Sequence, residues 1–136
     1  MVRLEPDRTC PPQGCAHLAS GSGQYGQRFF CRATQQGHLR LLTTEVVMRA
    51  YGAEPLANDQ AWEASTAWLR DPRIAFMDEP ATLQQAWQRF GCVRTVSPKL
   101  WMDAYFAAFA RAADLQLVTT DKAFKQFKGL DLHLLG

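Results

Sequence analysis

The chain has 136 residues, 15 of them basic and 13 acidic, for a net charge of +2, and 47% are hydrophobic. That is enough chain for one domain with a real core. No stretch approaches the roughly 20 apolar residues of a membrane span, and the charge balance neither demands nor excludes a nucleic-acid partner, which must be argued from a local patch.

The N-terminal stretch MVRLEPDRTCPPQGC has no apolar segment of signal-peptide type, so the expected location is the cytoplasm. Residues 1–27 hold Pro6, Pro11, Pro12, Gly14, Gly21, Gly23 and Gly26 without any helical or alternating apolar pattern. Such a segment buries too little surface to offset its ordering entropy, and the expectation is an irregular, loose tail. Cys10, Cys15, Cys31 and Cys92 form no CxxC pair, and His17 and His38 fit no zinc spacing, so reduced thiols are expected.

Order is expected from Arg28. Phe29-Phe30-Cys31 reads as a short strand, and Thr34 as the cap of a helix through Leu39, Leu41 and Leu42. Val46, Val47, Met48 and Tyr51 continue an apolar stretch that Gly52 and Pro55 stop. Asn58 caps a further helix with Trp62, Ser65 and Leu69 on one face, closed by Asp71-Pro72. Ile74-Ala75-Phe76 is a strand. Pro80 opens a helix with Leu83, Ala86, Trp87 and Phe90 at helical spacing and Gly91 as its C-cap. Ser97 and Pro98 start a helix that runs to about Ala113. Leu115 to Thr119 alternates as a strand, Lys122 to Lys128 makes one or two helical turns, and Leu130, Leu132 and Leu134 form a last strand. Strands alternating with helices at crossover intervals argue for an α/β sandwich around a mainly parallel sheet.

In a β-α-β unit the helix start lies on the same sheet edge as the strand C-terminal ends. Asp103, near the start of one helix, and Asp121, just past the next strand, therefore reach the edge where open α/β folds place ligands. Two carboxylates brought together repel, and a hard divalent ion such as Mg²⁺ or Mn²⁺ relieves that repulsion. The structural alternatives stay open: an aspartate in an early helical turn suits the helix dipole, and one before Lys-Ala-Phe is a natural N-cap.

At these residues the sequence resembles a family. Ser97-Pro98-Lys99-Leu100-Trp101-Met102-Asp103-Ala104-Tyr105-Phe106-Ala107-Ala108-Phe109-Ala110 resembles the third-acid helix of VapC-type PIN domains. Leu117-Val118-Thr119-Thr120-Asp121-Lys122-Ala123-Phe124 resembles their strand-end motif, and Gly129-Leu130-Asp131-Leu132 their last strand. Phe30 to Leu42 resembles the segment of the second acidic position. The similarity covers about residues 27 to 136. It implies a PIN-like three-layer sandwich over 28–136, incomplete at its N-terminus. It also implies an Mg²⁺-dependent endoribonuclease, the toxin half of a toxin-antitoxin pair, often dimeric and silenced by a cognate antitoxin.

On that reading Asp103 and Asp121 are the metal-binding and catalytic carboxylates. Lys122, Lys125 and Arg40 are the candidates for RNA phosphates, as are Lys128 and Arg32, against a solvated helix face as the alternative. The sequence departs from the family in two places. No hydrophobic strand ending in Asp-x-Asn occurs in residues 1–27, where Glu5 and Asp7 are the only acids, and Gln35 stands where many relatives carry glutamate. The expectation is therefore weakened cleavage, with an inactive remnant that binds an antitoxin as the alternative. A small regulatory α/β protein is the third class. The spacing of Trp62, Trp68, Trp87 and Trp101 predicts core or dimer packing rather than base stacking.

Overall fold

The computed structural model describes residues 2–3 and 27–136, the first pair as the short strand β1 (Val2–Arg3). Apart from these two residues and Gln27, the expected irregular segment 1–27, Glu5 and Asp7 included, lies outside the described residues. The described residues divide into two compact units, Arg28–Asp78 and Glu79–Gly136, the latter taking in β1.

The Arg28–Asp78 unit contains β2 (Arg28–Phe30), α1 (Arg32–Leu42), α2 (Glu45–Ala50), α3 (Asn58–Trp68) and β3 (Ile74–Phe76). β2 and β3 pair in parallel, with Phe30 opposite Phe76. Cys31 rather than Thr34 is the N-cap of α1. Thr34 lies three residues inside, and its Oγ1 accepts the Cys31 N–H at 2.8 Å, which satisfies a backbone donor that a helix start leaves free. Gln60 Oε1 does the same for the Ala57 N–H at 3.0 Å, so the cap of α3 is one residue earlier than Asn58. The buried residues of α3 are Ala61 and Ser65, while Trp62 is 57% exposed, so of the expected Trp62, Ser65 and Leu69 face Ser65 is turned inward and Trp62 outward. Small residues occupy the inner positions because a helix that packs closely has no room there for an indole. Before β3 the carboxylate of Asp71 accepts from the Arg73 backbone N–H at 2.9 Å and from its guanidinium at 2.6 Å. That pairing holds the Asp71 pKa down to about 2.

The second unit contains α4 (Leu83–Gly91), α5 (Leu100–Ala112), β4 (Gln116–Thr119), a 3₁₀ turn (Lys122–Gln126) and β5 (Leu132–Leu134). β4 pairs with β5 in parallel and with β1 antiparallel, Val2 lying opposite Leu117. Pro80 does not open α4 directly, since its carbonyl accepts from Leu83 N–H across a turn. Ser97 likewise accepts from Leu100 N–H, so Ser97-Pro98-Lys99 is a turn and Lys99 is the N-cap of α5. The core of this unit is α5, whose Ala104, Ala107, Ala108 and Ala110 are completely buried together with Phe109. α5 ends in a Schellman turn. Leu115 N–H reaches back to the Ala110 carbonyl at 2.8 Å, and Asp114 takes the left-handed conformation, φ 54°, that glycine usually supplies. This turn fixes the direction in which the chain enters β4.

Helices and short strands thus alternate, with parallel pairing in each unit, as the α/β reading expects. Among the described residues no helix is long and apolar enough to cross a membrane.

Candidate metal centre

Asp103 sits in the first turn of α5, where the exposed amide dipoles favour a negative charge. Asp121 follows β4 and caps the 3₁₀ turn. Its Oδ1 accepts the Ala123 N–H at 2.8 Å, and its own N–H donates to Thr119 Oγ1 at 3.1 Å. These two bonds fix the backbone and one carboxylate oxygen, leaving Oδ2 without a donor among the described residues.

The two carboxylates interact. Burial, and next the negative charge of Asp121, push the Asp103 carboxyl above its ordinary range, while Lys99 pulls it partly back. A half-buried carboxylate facing a second one is a poor resting place for charge, and a hard cation would lower its energy. Mg²⁺ characteristically binds through one or two carboxylates, with waters and substrate phosphates completing the shell, so this donor set fits it. Among the described residues no group of three or more His, Cys, Asp or Glu side chains is arranged to hold a metal.

The other sequence candidates fall as follows. Lys122 and Lys125 are exposed on the 3₁₀ turn that Asp121 caps, one eclipsing the other at i, i+3. Arg40 is exposed in the last turn of α1, in the Arg28–Asp78 unit. Gln35 is buried, and its Oε1 accepts from Arg32 Nη1 at 2.6 Å; Arg32 also lies 4.5 Å from the centroid of Phe76. Arg32 is thus engaged within its own unit. Trp62, Trp68 and Trp101 are at least half exposed, so of the expected core or dimer packing the core alternative does not describe them. Trp87 donates from Nε1 to the Trp101 carbonyl at 3.0 Å. A shallow cavity of about 540 Å³, lined by residues 91–98 and Trp101, includes neither carboxylate. Sequence reasoning passes over Lys99 and Thr119, and only the one-turn interval from Lys99 to Asp103 and the two-residue interval from Thr119 to Asp121 hint at them.

Ribonuclease VapC41 of Mycobacterium tuberculosis, from strains CDC 1551 and H37Rv, is 51% identical to this chain over 108 residues, covering 79% of this chain and 74% of the relative. The chain belongs to the VapC-type PIN family. No protein-family model matches it. Membership in the VapC-type family agrees with the resemblance carried by the Asp103 and Asp121 motifs.

Proposed function

We propose that this chain is an Mg²⁺- or Mn²⁺-dependent endoribonuclease, the toxin half of a toxin-antitoxin pair, with the three-layer PIN sandwich as its fold. The observation that carries the proposal is the placement of Asp103 in the first turn of α5 and of Asp121 directly after β4, near enough for the Asp121 charge to push the Asp103 carboxyl up. The 51% identity to a protein named a ribonuclease supports it.

Asp103 and Asp121 hold the ion, Asp121 through its uncommitted Oδ2. When bound, the ion supplies Lewis acidity toward a phosphate oxygen and a water acidic enough to attack at neutral pH. The protein's part is to keep both carboxylates ionised and fixed. The buried alanine face of α5 anchors Asp103, and the Thr119 and Ala123 contacts anchor Asp121. Lys122 and Lys125 take RNA phosphates and orient the strand, and Arg40 is a further phosphate contact proposed for the Arg28–Asp78 unit. A cognate antitoxin and a second copy of the chain are the protein partners of this reading, and the cytoplasm is its place. With two carboxylates as the site's charge, Mg²⁺ is held weakly and turnover is slow.

A labelled single-stranded RNA digest, with and without chelator, tests the reading. Cleavage should need the divalent ion and fall at least about 100-fold in Asp103→Asn and in Asp121→Asn. Lys125→Gln should raise KM and flatten its salt dependence while sparing kcat. Cleavage that survives chelator, or survives loss of both aspartates, would overturn the metal mechanism.

One observation favours a second reading, an inactive antitoxin-binding module. The Gln35 amide oxygen, at the family's second acidic position, is already engaged by Arg32. On that reading the digest shows no divalent-dependent cleavage, yet the chain still binds its antitoxin.

A further inference from the structure

Lys99 occupies a position that stability does not explain. It is the N-cap of α5, where Ser, Thr, Asp or Asn would bond a free amide, and it makes no side-chain cap bond. A cation there also opposes the positive end of the helix dipole. Its backbone is already helical, φ −69° and ψ −29°, so Lys99 and Asp103 stand one turn apart on the same face of α5.

The side chain is exposed, and no hydrogen bond or ion pair with any described residue restrains it. The one-turn interval nevertheless brings the ammonium within reach of the Asp103 carboxylate. An ammonium one turn from a candidate metal ligand, and bonded to no described residue, has its three donors available.

We infer that Lys99 contacts a phosphate of the substrate RNA beside the Asp103–Asp121 pair, which makes it a residue where metal and RNA binding meet. The inference rests on the metal-dependent reading above. Without RNA the ammonium repels an entering divalent ion. With RNA present, a phosphate oxygen neutralises the lysine, the repulsion ends, and the same phosphate is held next to the ion. Metal and RNA therefore strengthen each other's binding. Lys122 and Lys125 lie beyond Asp121 on the next element, whereas Lys99 is a cation on the helix side of the pair.

The test uses the full chain and two binding measurements that need no turnover. Mn²⁺ is titrated calorimetrically into the RNA-free protein. A fluorescent single-stranded RNA with its 2′-hydroxyls blocked is followed by anisotropy over a range of salt. In Lys99→Gln, Mn²⁺ should bind about 2–5-fold more tightly, because a nearby positive charge is gone. The RNA should bind about 3–10-fold more weakly, with a log–log salt slope smaller by about one. Lys99→Arg should stay close to wild type in both. Arg89→Gln removes a charge of the same sign from α4 and should change neither. If Lys99→Gln matches Arg89→Gln in Mn²⁺ affinity, the inference is wrong, even if RNA binding weakens, because a lysine remote from the carboxylates would do the same. If Asp103→Asn leaves Mn²⁺ binding at the wild-type value, the metal site itself fails and the role of Lys99 fails with it.

Discussion

In the Glu79–Gly136 unit, α5 keeps Ala104, Ala107, Ala108, Phe109 and Ala110 at 0–1% exposure. In the Arg28–Asp78 unit, α2 buries no residue and α3 buries only Ala61 and Ser65. A helix covered on successive turns, with alanines that lose no rotamer freedom, is hard to open locally. A helix that buries one narrow stripe frays at little cost. The candidate carboxylate Asp103 rides on the first kind, and catalytic groups demand that placement because small displacements are costly to chemistry. The other unit gathers a ring cluster around the buried Phe30. Phe30 meets Trp68 edge-on at 5.8 Å, and His38 stacks on Trp68 at 4.8 Å with 22° between the planes.

The largest expected effect tests this contrast directly. Phe109→Ala removes a fully buried ring from the covered helix and should cost about 3–5 kcal/mol in urea unfolding. Trp62→Ala, on the outward face of α3, should stay within about 0.5 kcal/mol. Equal costs would mean that the two helices are held alike.

A smaller effect probes how α4 meets α5. A Cβ added at Gly91 would stand 2.9 Å from Trp101 Cζ3 and 3.6 Å from the Ala104 Cβ. The first of these is closer than atoms tolerate. Alanine is the better helix former by about 1 kcal/mol, but Gly91 is the last residue of α4, where that preference counts less. Gly91→Ala should therefore destabilise by about 1 kcal/mol, within the cost of overpacking. In a Trp101→Ala background the same change should become neutral or stabilising. Additive behaviour across the double-mutant cycle would show that Trp101 swings aside freely.

The elements that sequence reading locates best are those whose pattern is local. Ile74-Ala75-Phe76 and Gln116 to Thr119 are short runs of strand formers between turn residues, and both are strands where expected. Asp121 is legible for the same reason: an aspartate after a strand and before Lys-Ala-Phe has few places to go, and it is the cap of the 3₁₀ turn. Helix starts are less legible. Ser97-Pro98 carries the composition of a start, yet the chain spends these residues on a turn closed by Leu100 N–H to the Ser97 carbonyl. The inward face of α3 is only partly legible: Ser65 is on the expected face and is buried, but hydrophobicity selects Trp62 where close packing selects Ala61. The placement of Asp103 at a helix start and Asp121 at a strand end follows from topology, but the part proposed for Lys99 beside them does not. A lysine ahead of a helix reads as solvated until its one-turn interval to a half-buried carboxylate is in view.

The smallest expected effect lies in the ring cluster of the Arg28–Asp78 unit and depends on pH. His38 Nδ1 is buried without a hydrogen-bond partner among the described residues, and burial lowers the His38 pKa below 6.5. As pH falls through 6.5 the unfolded chain takes up a proton at this residue before the folded chain does. The unfolded state then binds more protons, so stability declines with falling pH until the folded imidazole also titrates, and below that point no further loss arises here. His38→Phe keeps a ring against Phe30 and Trp68 but cannot titrate. Urea unfolding of wild type and His38→Phe at about pH 7.5 and about pH 5 should therefore show a larger acid loss in wild type. Hydrogen exchange should place that loss in α1 and α3 and leave the amides of α5 as protected as before. The opposite sign is physically available, since a protonated His38 stacked on an indole face gains a cation–π attraction. Wild type holding its stability better than His38→Phe at acid pH would show that this attraction exceeds the cost of burying the charge. Identical pH profiles would show that His38 is hydrated in solution.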